Sequence, residues 1–427
     1  MINDLSQREL KFVFYKPHAN VWFRNTVKNI RANYFLPSKY ASFFDYALNS
    51  ENKIYFATAL YYGGGAKGFL RSISDAIELI AWCILNKINL RKVGFIFTKN
   101  ALAKKDIFFA MHYGNFTGEL TQDAIHGTGM ARYLADVSIY KIVHMTHYAY
   151  NPSIGNKNLK ILSPNLLVAE NNLERNSVFF KKYFEEFSGK FNTLSYTPAP
   201  RFVSRTPFAD RINKLVATGS ITFKMTDKEF LDHFGGNELQ PLRRQLYEQA
   251  SQYVTTMNSL IVDINDLRVV RPSRPKDTLQ KRLVRKLKRS LKRNRPEDTL
   301  QDYYRKNIVD TYNEHRMFVV PEEVCDLPAI AFVEGMACGC AYFGLDSPMY
   351  RELGLVPGVH YVGYDGSIPD LMAKVRYYQK HTTELNDIAN NGCEFVERNL
   401  SPDAVYGAFF KQLKSIGHGG IALGAHG

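Results

Sequence analysis

Short apolar runs alternate with longer helical stretches along most of this chain, and this order constrains the fold more than any other feature. Residues 53–98 show the unit plainly: an apolar run at 53–60, three consecutive glycines, a stretch of helical periodicity and a second apolar run at 93–98. Two strands joined by a helix are typical of a parallel βαβ unit. The pattern therefore predicts an α/β fold built on parallel sheets.

Two such series follow one another in a chain of 427 residues, which is long enough for two cores of ordinary size. Three prolines between residues 192 and 207 indicate an interdomain linker. Further strands are predicted at 106–110, 141–146 and 166–169 in the first series and at 214–217, 257–263, 317–320, 341–344 and 361–364 in the second, with helices near 128–137 and 177–187.

The predicted domains follow from these series. We expect an N-terminal domain over residues 1–200, a C-terminal domain over 201–385, helices over 386–416 and a flexible tail over 417–427. The C-terminal domain includes a basic helical insertion at 268–296.

The excess positive charge lies almost entirely in that insertion. The net charge of the chain is +14, and residues 268–296 contain thirteen Lys or Arg against one acid. Leucines at every fourth position from Leu279 to Leu291 form a narrow apolar stripe on an otherwise cationic helix. We expect residues 278–295 to bind an anionic membrane surface. A helix docked by its leucines is the alternative, whereas nucleic acid is not expected because the run lacks aromatic residues that stack on bases.

The cysteines and the apolar runs limit which classes of protein this chain can belong to. The five cysteines form no CxxC pair, and the longest apolar stretch, near residues 77–85, is too short to span a membrane. We therefore expect neither a disulfide framework nor a zinc site, and a soluble or peripheral protein in a reducing cytoplasm.

The most informative segment is 321–365, which reads PEEVCDLPAIAFVEGMACGCAYFGLDSPMYRELGLVPGVHYVGYD. Asp326 precedes Glu334 by eight positions, and Glu334 opens a helix rich in small residues that we expect to lie close to the occupant of a cleft. This order resembles the nucleotide-sugar site of GT-B glycosyltransferases. In that site a carboxylate is followed, after seven residues, by a second Glu that begins the sequence EAMACG; here Glu334 begins EGMACG. The resemblance implies two Rossmann-like domains whose parallel sheets face a central cleft, with a C-terminal helix crossing back between them.

The same resemblance implies roles for individual residues. In the family the second Glu binds the nucleotide ribose, a role that falls on Glu334, and amides at the following helix start bind phosphate, a role that falls on Ser347. Asp326 departs from the family, which prefers Glu at that position. An acid favoured by the helix dipole is the alternative for Glu334.

The predicted strand at 214–217 is followed by Gly219 and Ser220, at the edge of the sheet where α/β folds bind ligands. We expect Gly219, Ser220 and Lys224 to bind the nucleotide, with Ser220 and Lys224 holding a phosphate or a donor carboxylate. A solvated surface lysine is an equal alternative for Lys224.

Residues 226–244 place acids before a Gly-Gly turn and a Gln-Pro helix start. A retaining transferase that works by double displacement needs a carboxylate nucleophile, and Asp232, beside His233, is the candidate. Gln240 and Arg243 are expected on the donor, since an anionic sugar needs cations. A turn or surface acid is the alternative for Asp232.

Together with the Tyr-Gly-Gly-Gly loop at 62–65, these segments resemble the retaining β-Kdo transferase modules of bacterial O-antigen synthesis (the WbbB type). That family uses CMP-β-Kdo and a nucleophilic aspartate. In the N-terminal domain, Gly64 and Gly65 are expected to approach donor or acceptor closely, and His147 or Glu170 to act as a general base. Packing or capping roles are the alternatives for these residues.

The expected reaction is transfer of Kdo from CMP-β-Kdo to a hydroxyl of a lipid-linked bacterial glycan, with retention and without a metal or cofactor. The partners would be a sugar nucleotide, the lipid-linked acceptor and the cytoplasmic face of the inner membrane. Two alternatives remain open: a GT-B transferase that uses a UDP- or GDP-sugar, and a relative without catalysis that binds membrane or nucleic acid.

Overall fold

The computed structural model describes the part of the chain that carries the two sheets and the C-terminal helices. Its described residues are 11–15, 46, 47, 49, 50, 52–57, 65–85, 87–96, 107–112, 140–144, 157, 159–162, 166–170, 177–221, 224–263 and 308–417.

The N-terminal sheet contains seven parallel strands in the order β3-β2-β1-β4-β5-β6-β7. The predicted strands are confirmed, and two more appear: β1, and β7 at the start of the predicted linker. The strands are β1 (Lys11–Tyr15), β2 (Lys53–Ala57), β3 (Val93–Ile96), β4 (Ile107–His112), β5 (Tyr140–His144), β6 (Leu166–Glu170) and β7 (Phe191–Thr193).

Helix α1 (Gly65–Leu85) joins β2 to β3, as the βαβ pattern predicts. The helix already begins at Gly65, so the last glycine of the predicted loop is its first residue. Helix α2 (Val178–Phe184) follows β6 and is capped by Ser177, whose hydroxyl accepts a hydrogen bond from the amide of Phe180. The predicted helix at 128–137 lies outside the described residues.

The C-terminal sheet contains five parallel strands in the order β10-β8-β12-β13-β14. A two-stranded sheet, β9 with β11, follows directly after β8 and β10, so the predicted strand at 257–263 is divided into two. The strands are β8 (Ile212–Ala217), β9 (Ser220–Ile221), β10 (Met257–Ser259), β11 (Val262–Asp263), β12 (His315–Val319), β13 (Ala341–Leu345) and β14 (Val362–Tyr364).

Helices cover both faces of this sheet. The helices of the C-terminal half are α3 (Lys228–Phe234), α4 (Pro241–Glu248), α5 (Ile308–Glu314), α6 (Ala331–Ala337), α7 (Pro348–Glu352), α8 (Ile368–Lys380), α9 (Thr382–Asn399) and α10 (Pro402–Gly417). Side chains alternate along a strand, so Met317 packs with helix α8 on one face and Phe318 packs with helix α6 on the other. Burial on both faces explains why the strands are continuous apolar runs.

The last helix returns to the N-terminal sheet. Phe410 of α10 stacks on Phe12 of β1, with ring centroids 5.0 Å apart, and Tyr406 contacts the ring of Tyr46 at 5.6 Å. This contact confirms the predicted crossing of the C-terminal helix. Among the residues that the structure describes, no helix is long and apolar enough to cross a membrane.

Candidate functional site

Three segments singled out in the sequence meet at one edge of the C-terminal sheet. Gly219 follows β8, residues 321–323 follow β12, and Ser347 follows β13, and these three strands are adjacent and parallel. Their carboxyl ends therefore lie side by side, where open α/β sheets bind ligands. We call this edge the carboxyl edge of the C-terminal sheet.

The side chain of Arg243 packs directly against the backbone of Gly219. Gly219 has φ +127°, and a Cβ there would lie 2.9 Å from Nε of Arg243. Arg243 is only 4% exposed; its Nη1 donates to the carbonyl of Ser220 and its Nη2 to that of Pro321, each at 2.7 Å. The guanidinium thus ties the loop after β8 to the loop after β12. The role of Arg243 in binding the donor stays a prediction; in the structure its guanidinium lies beneath the loop after β8.

Gln240 contributes a further contact between the start of α4 and the loop after β12. It is buried and precedes Pro241, which occupies the first turn of α4, where a missing N–H costs nothing. Its Nε2 donates to Oε1 of Glu323 at 3.1 Å, and the same oxygen lies 3.9 Å from Nη1 of Arg243.

Glu322 was not singled out in the sequence, although it is a buried carboxyl at this edge. Its Oε1 accepts hydrogen bonds from the hydroxyls of Tyr342 (3.0 Å) and Tyr350 (2.6 Å), and its Oε2 from that of Tyr364 (3.2 Å). Oε1 also accepts from the amide of Leu345 at 3.0 Å. Burial raises the pKa of Glu322, and these hydrogen bonds partly oppose that rise. The available signal was the set of tyrosines in otherwise apolar strands, because a buried hydroxyl needs a partner.

Asp326 and Ser347 connect two loops of the carboxyl edge. Asp326 has φ +53°, a left-handed backbone that is uncommon for a residue other than glycine. Ser347, 1% exposed, donates from Oγ to Oδ2 of Asp326 at 3.2 Å and caps α7 by accepting from the amide of Met349. Burial raises the pKa of Asp326, while the hydrogen bond from Ser347 lowers it. Ser347 therefore stands at a helix start as predicted, with its hydroxyl already bound to Asp326.

Glu334 lies in the middle of α6 and is 8% exposed. The small residues of this helix were expected to face the occupant of the cleft. The structure corrects this for Gly335, whose missing side chain makes room for the ring of Phe318 on β12. The glycine allows α6 to pack close to the sheet. Glu334, the preceding residue of α6, therefore also lies close to the sheet.

Asp232 and His233 lie on α3, at the contact between the two halves of the chain. The His233 ring lies 5.1 Å from that of Phe179 on α2, and burial, with a smaller effect of Lys182, lowers its pKa. His233 therefore packs in an aromatic cluster that joins the halves. Asp232 is 59% exposed and pairs with Lys228 one turn earlier, at 3.1 Å between Nζ and Oδ2.

Lys224 is exposed and lies opposite Glu238 in an isolated antiparallel bridge. Arg244 binds the carboxylate of Glu238 and also that of Asp263, at 3.0 Å. These contacts link the loop after β9 to α4 and β11. Ser220, which begins β9, directs its carbonyl to Arg243.

The remaining predicted residues belong to the N-terminal half. Gly65 is the first residue of α1 and Glu170 the last residue of β6. Gly64, His147 and the basic segment 278–295 lie outside the described residues. Within the described ranges, no group of three or more His, Cys, Asp or Glu is placed to hold a metal ion.

Comparison with known proteins gives two findings. Residues 335–418, from α6 to the end of α10, match the family model of glycosyl transferase family 90. No curated protein sequence matches the chain.

Two crystal structures of Anabaena Alr3699/HepE are similar to this chain in fold. The complex with UDP has a TM-score of 0.53 at 12% identity and covers 96% of this chain and 100% of that chain. The complex with UDP and glucose has a TM-score of 0.51 at 14% identity and covers 95% and 100%. At these identities the similarity establishes the fold, which is the predicted GT-B-like α/β fold.

Proposed function

We propose that this chain is a glycosyltransferase whose sugar-nucleotide donor binds at the carboxyl edge of the C-terminal sheet. The observation that carries the proposal is the meeting of the loops after β8, β12 and β13 at one edge, because the last two loops belong to the segment that resembles a nucleotide-sugar site. The match of residues 335–418 to glycosyl transferase family 90 supports it. So does the fold shared with HepE, a protein crystallised with UDP and glucose.

The proposed roles are those that the sequence implies for each residue. Glu334 binds the ribose, while Ser220, Lys224 and Ser347 face the phosphate or a donor carboxylate. Gly219 lets the donor approach the backbone closely, because it has no side chain. Arg243 and Gln240 act on the donor from behind the loop, where the buried guanidinium adds positive charge beneath Ser220. Such fixed charge stabilises an anionic leaving group without a metal ion.

The finer proposal concerns the donor and the stereochemistry. Kdo would pass from CMP-β-Kdo to a hydroxyl of a lipid-linked bacterial glycan with retention, and the support for this donor is the sequence resemblance of residues 226–244. In the first step a carboxylate oxygen of Asp232 bonds to the anomeric carbon, and the bond to phosphate breaks with its electron pair leaving on CMP. In the second step the acceptor hydroxyl displaces Asp232 and gives its proton to His147 or Glu170.

The acceptor also suggests a place for the enzyme. A lipid-linked glycan lies in the membrane, so we propose a cytoplasmic protein bound to the inner face of the inner membrane through residues 278–295. Thirteen basic residues in 268–296 provide the charge for anionic lipid.

A UDP-sugar is the second candidate donor, and the observation that favours it is the UDP in both HepE structures. Isothermal titration with CMP, UDP and GDP separates the candidates. The Kdo proposal requires CMP to bind, and tight binding of UDP with none of CMP would refute it.

The nucleophile has its own test. Asp232→Asn should reduce transfer at least about 1,000-fold, because the amide cannot form the covalent intermediate, and should leave nucleotide affinity unchanged. Glu229→Gln, which removes a carboxylate from the same helix, should retain activity. The measurements are initial rates with radiolabelled donor and titration with nucleotide. A fully active Asp232→Asn variant would exclude Asp232 from the mechanism.

A further inference from the structure

Three consecutive residues after β12 bind partners on opposite sides of that strand at the carboxyl edge. The carbonyl of Pro321 accepts from Arg243, the carboxyl of Glu322 binds the tyrosine cluster, and the carboxylate of Glu323 accepts from Gln240. Pro321 and Glu323 thereby contact α4, on the β8 side of the edge. Glu322 points the other way, toward β13 and β14.

The Glu322 carboxyl gathers partners that are distant in the sequence. Tyr342 comes from β13, Tyr350 from α7 and Tyr364 from β14, and each directs its hydroxyl to one of the two carboxyl oxygens. The hydroxyls of Tyr342 and Tyr350 also lie 2.6 Å from each other. We define Glu322 and these three tyrosines as the Glu322 cluster.

Stability alone does not account for this cluster. Among the described residues, none of the hydrogen-bond partners of Glu322 is a cation, so the buried carboxyl has no charge to offset its desolvation. Replacing both partners of a buried hydrogen bond with apolar groups of the same shape can be nearly neutral or stabilising. What the carboxyl adds is direction, because each hydrogen bond fixes the position of a particular atom.

The atoms that it fixes belong to the segment that leads to Ser347. Glu322 accepts from the amide of Leu345, and Tyr364, also bound to Glu322, receives the amide of Asp346 on its own carbonyl at 2.8 Å. Tyr361 donates to the carbonyl of Leu345 at 3.4 Å. The backbone of residues 345 and 346 is therefore held from both sides immediately before Ser347.

We propose that Glu322 is a positioning residue of the donor site, which acts through the backbone of residues 345–347 and does not touch the donor. This inference rests on the proposed function, since it concerns the site where the donor would bind. According to this proposal, Glu322 fixes the distance between Ser347, at the start of α7, and the loops after β8 and β12. A misplacement of about 1 Å at such a site can reduce activity about 100-fold.

The test compares Glu322→Gln with Tyr378→Phe. The glutamine keeps the volume, but its N–H₂ group replaces either the oxygen that accepts from Tyr364 or the one that accepts from Tyr342, Tyr350 and Leu345. At least one of these hydrogen bonds is therefore lost or reversed without opening a cavity. Tyr378 is a matched control, because it is a buried tyrosine of the same domain whose hydroxyl binds Glu384 away from the carboxyl edge. Tyr350→Phe provides a milder change if Glu322→Gln does not fold.

We expect Glu322→Gln to raise KM for the donor, and Kd for its nucleotide, at least tenfold, with a smaller change in kcat. Hydrogen exchange of the peptide that covers residues 345–349 should become faster, while exchange in α9 stays unchanged. Tyr350→Phe should shift both readouts in the same direction, and Tyr378→Phe should shift neither. If Glu322→Gln, or Tyr350→Phe in its place, only lowers stability, with affinity and local exchange within twofold of the unmodified protein, the proposal is wrong.

Failure of the proposed function would look different. In that case the unmodified protein binds none of CMP, UDP and GDP, whatever stands at position 322. Exchange at residues 345–349 would then decide alone whether Glu322 positions this segment.

Discussion

The two ends of the C-terminal sheet are each tied together by one buried arginine, and the two arginines differ in what surrounds them. At the amino edge Arg211, just before β8, donates to the carbonyls of Tyr312, Cys338 and Gly339, which precede β12 and β13. At the carboxyl edge Arg243 donates to the carbonyls of Ser220 and Pro321. Both guanidiniums are at least 95% buried and connect neighbouring strands.

The difference lies in how completely each arginine is used. Arg211 also donates to the carbonyl of Thr206 and the hydroxyl of Ser204, so all three of its nitrogens are bound. The Nε of Arg243 has no hydrogen-bond partner among the described residues. The amino edge is a closed set of hydrogen bonds that holds the strands together.

The carboxyl edge carries features that cost stability. Asp326 is a residue other than glycine with a left-handed backbone, and Glu322 is a buried carboxyl. Costly conformations of this kind concentrate where a protein binds or reacts. The comparison supports the proposal that the donor binds at the carboxyl edge while the hydrogen bonds of the amino edge stabilise the sheet, and each prediction below tests this division.

The largest effect is expected at the amino edge. Arg211→Met leaves several buried carbonyls without a donor and should lower the free energy of unfolding by about 3 kcal/mol or more. Nucleotide affinity of the folded protein should not change. Arg205→Met is the control, since Arg205 is half exposed and pairs with the equally exposed Asp310, and it should cost about 0.5 kcal/mol. Guanidinium chloride denaturation and nucleotide titration measure the two quantities. A strong loss of nucleotide affinity in folded Arg211→Met would contradict the assignment of the amino edge to stability alone.

A smaller effect is expected from Gly219→Ala at the carboxyl edge. The new Cβ meets Arg243 in a backbone conformation that alanine rarely adopts, which should cost about 1–3 kcal/mol. Here affinity should fall as well, because the loop that faces the donor is displaced. Gly236→Ala, where a Cβ meets nothing within 4 Å, should change stability by less than about 0.5 kcal/mol. Unchanged nucleotide affinity in Gly219→Ala would argue against a ligand at this edge.

The smallest effect concerns pH. Burial raises the pKa of Glu322 above its ordinary value of 4.5 in the folded state, so the folded protein binds more protons than the unfolded chain above that pH. The pKa values of Tyr342, Tyr350 and Tyr364 are held well above 10.0, so these groups stay protonated.

The stability of the unmodified protein should therefore fall, relative to Glu322→Gln, as the pH rises from about 4.5. Denaturation curves of both proteins between pH 5 and pH 8 measure this difference. A difference that stays constant, or that grows in favour of the unmodified protein at higher pH, would show that the cluster favours the carboxylate.

Much of the fold could be predicted because strands of a parallel sheet are buried on both faces and stand out as apolar runs. Strand β1 was missed because a five-residue run near the chain start has no local signal of its two neighbours, β2 and β4. β7 was missed because three prolines close by indicated a linker, although its three residues pair with β6.

The site could be predicted only in part. Ser347 stands at a helix start because its local sequence caps the helix, which needs no distant partner. The Glu322 cluster could not be predicted, since it joins residues that are 20, 28 and 42 positions apart. Arg243 was assigned to the negative charge of the donor, and the sequence did not indicate that the empty space at Gly219 lets its side chain pass beneath the loop and bind two carbonyls.

The most direct measurement of the central claim is isothermal titration of CMP, UDP and GDP into the unmodified protein and into Glu334→Gln. If a sugar nucleotide binds at the carboxyl edge, one of these nucleotides should bind at one site per chain, and the variant should bind it at least tenfold more weakly. Glu394→Gln, which changes an exposed carboxylate of α9, should bind it normally. No binding of CMP, UDP or GDP to the unmodified protein, or equal binding by Glu334→Gln, would contradict the claim.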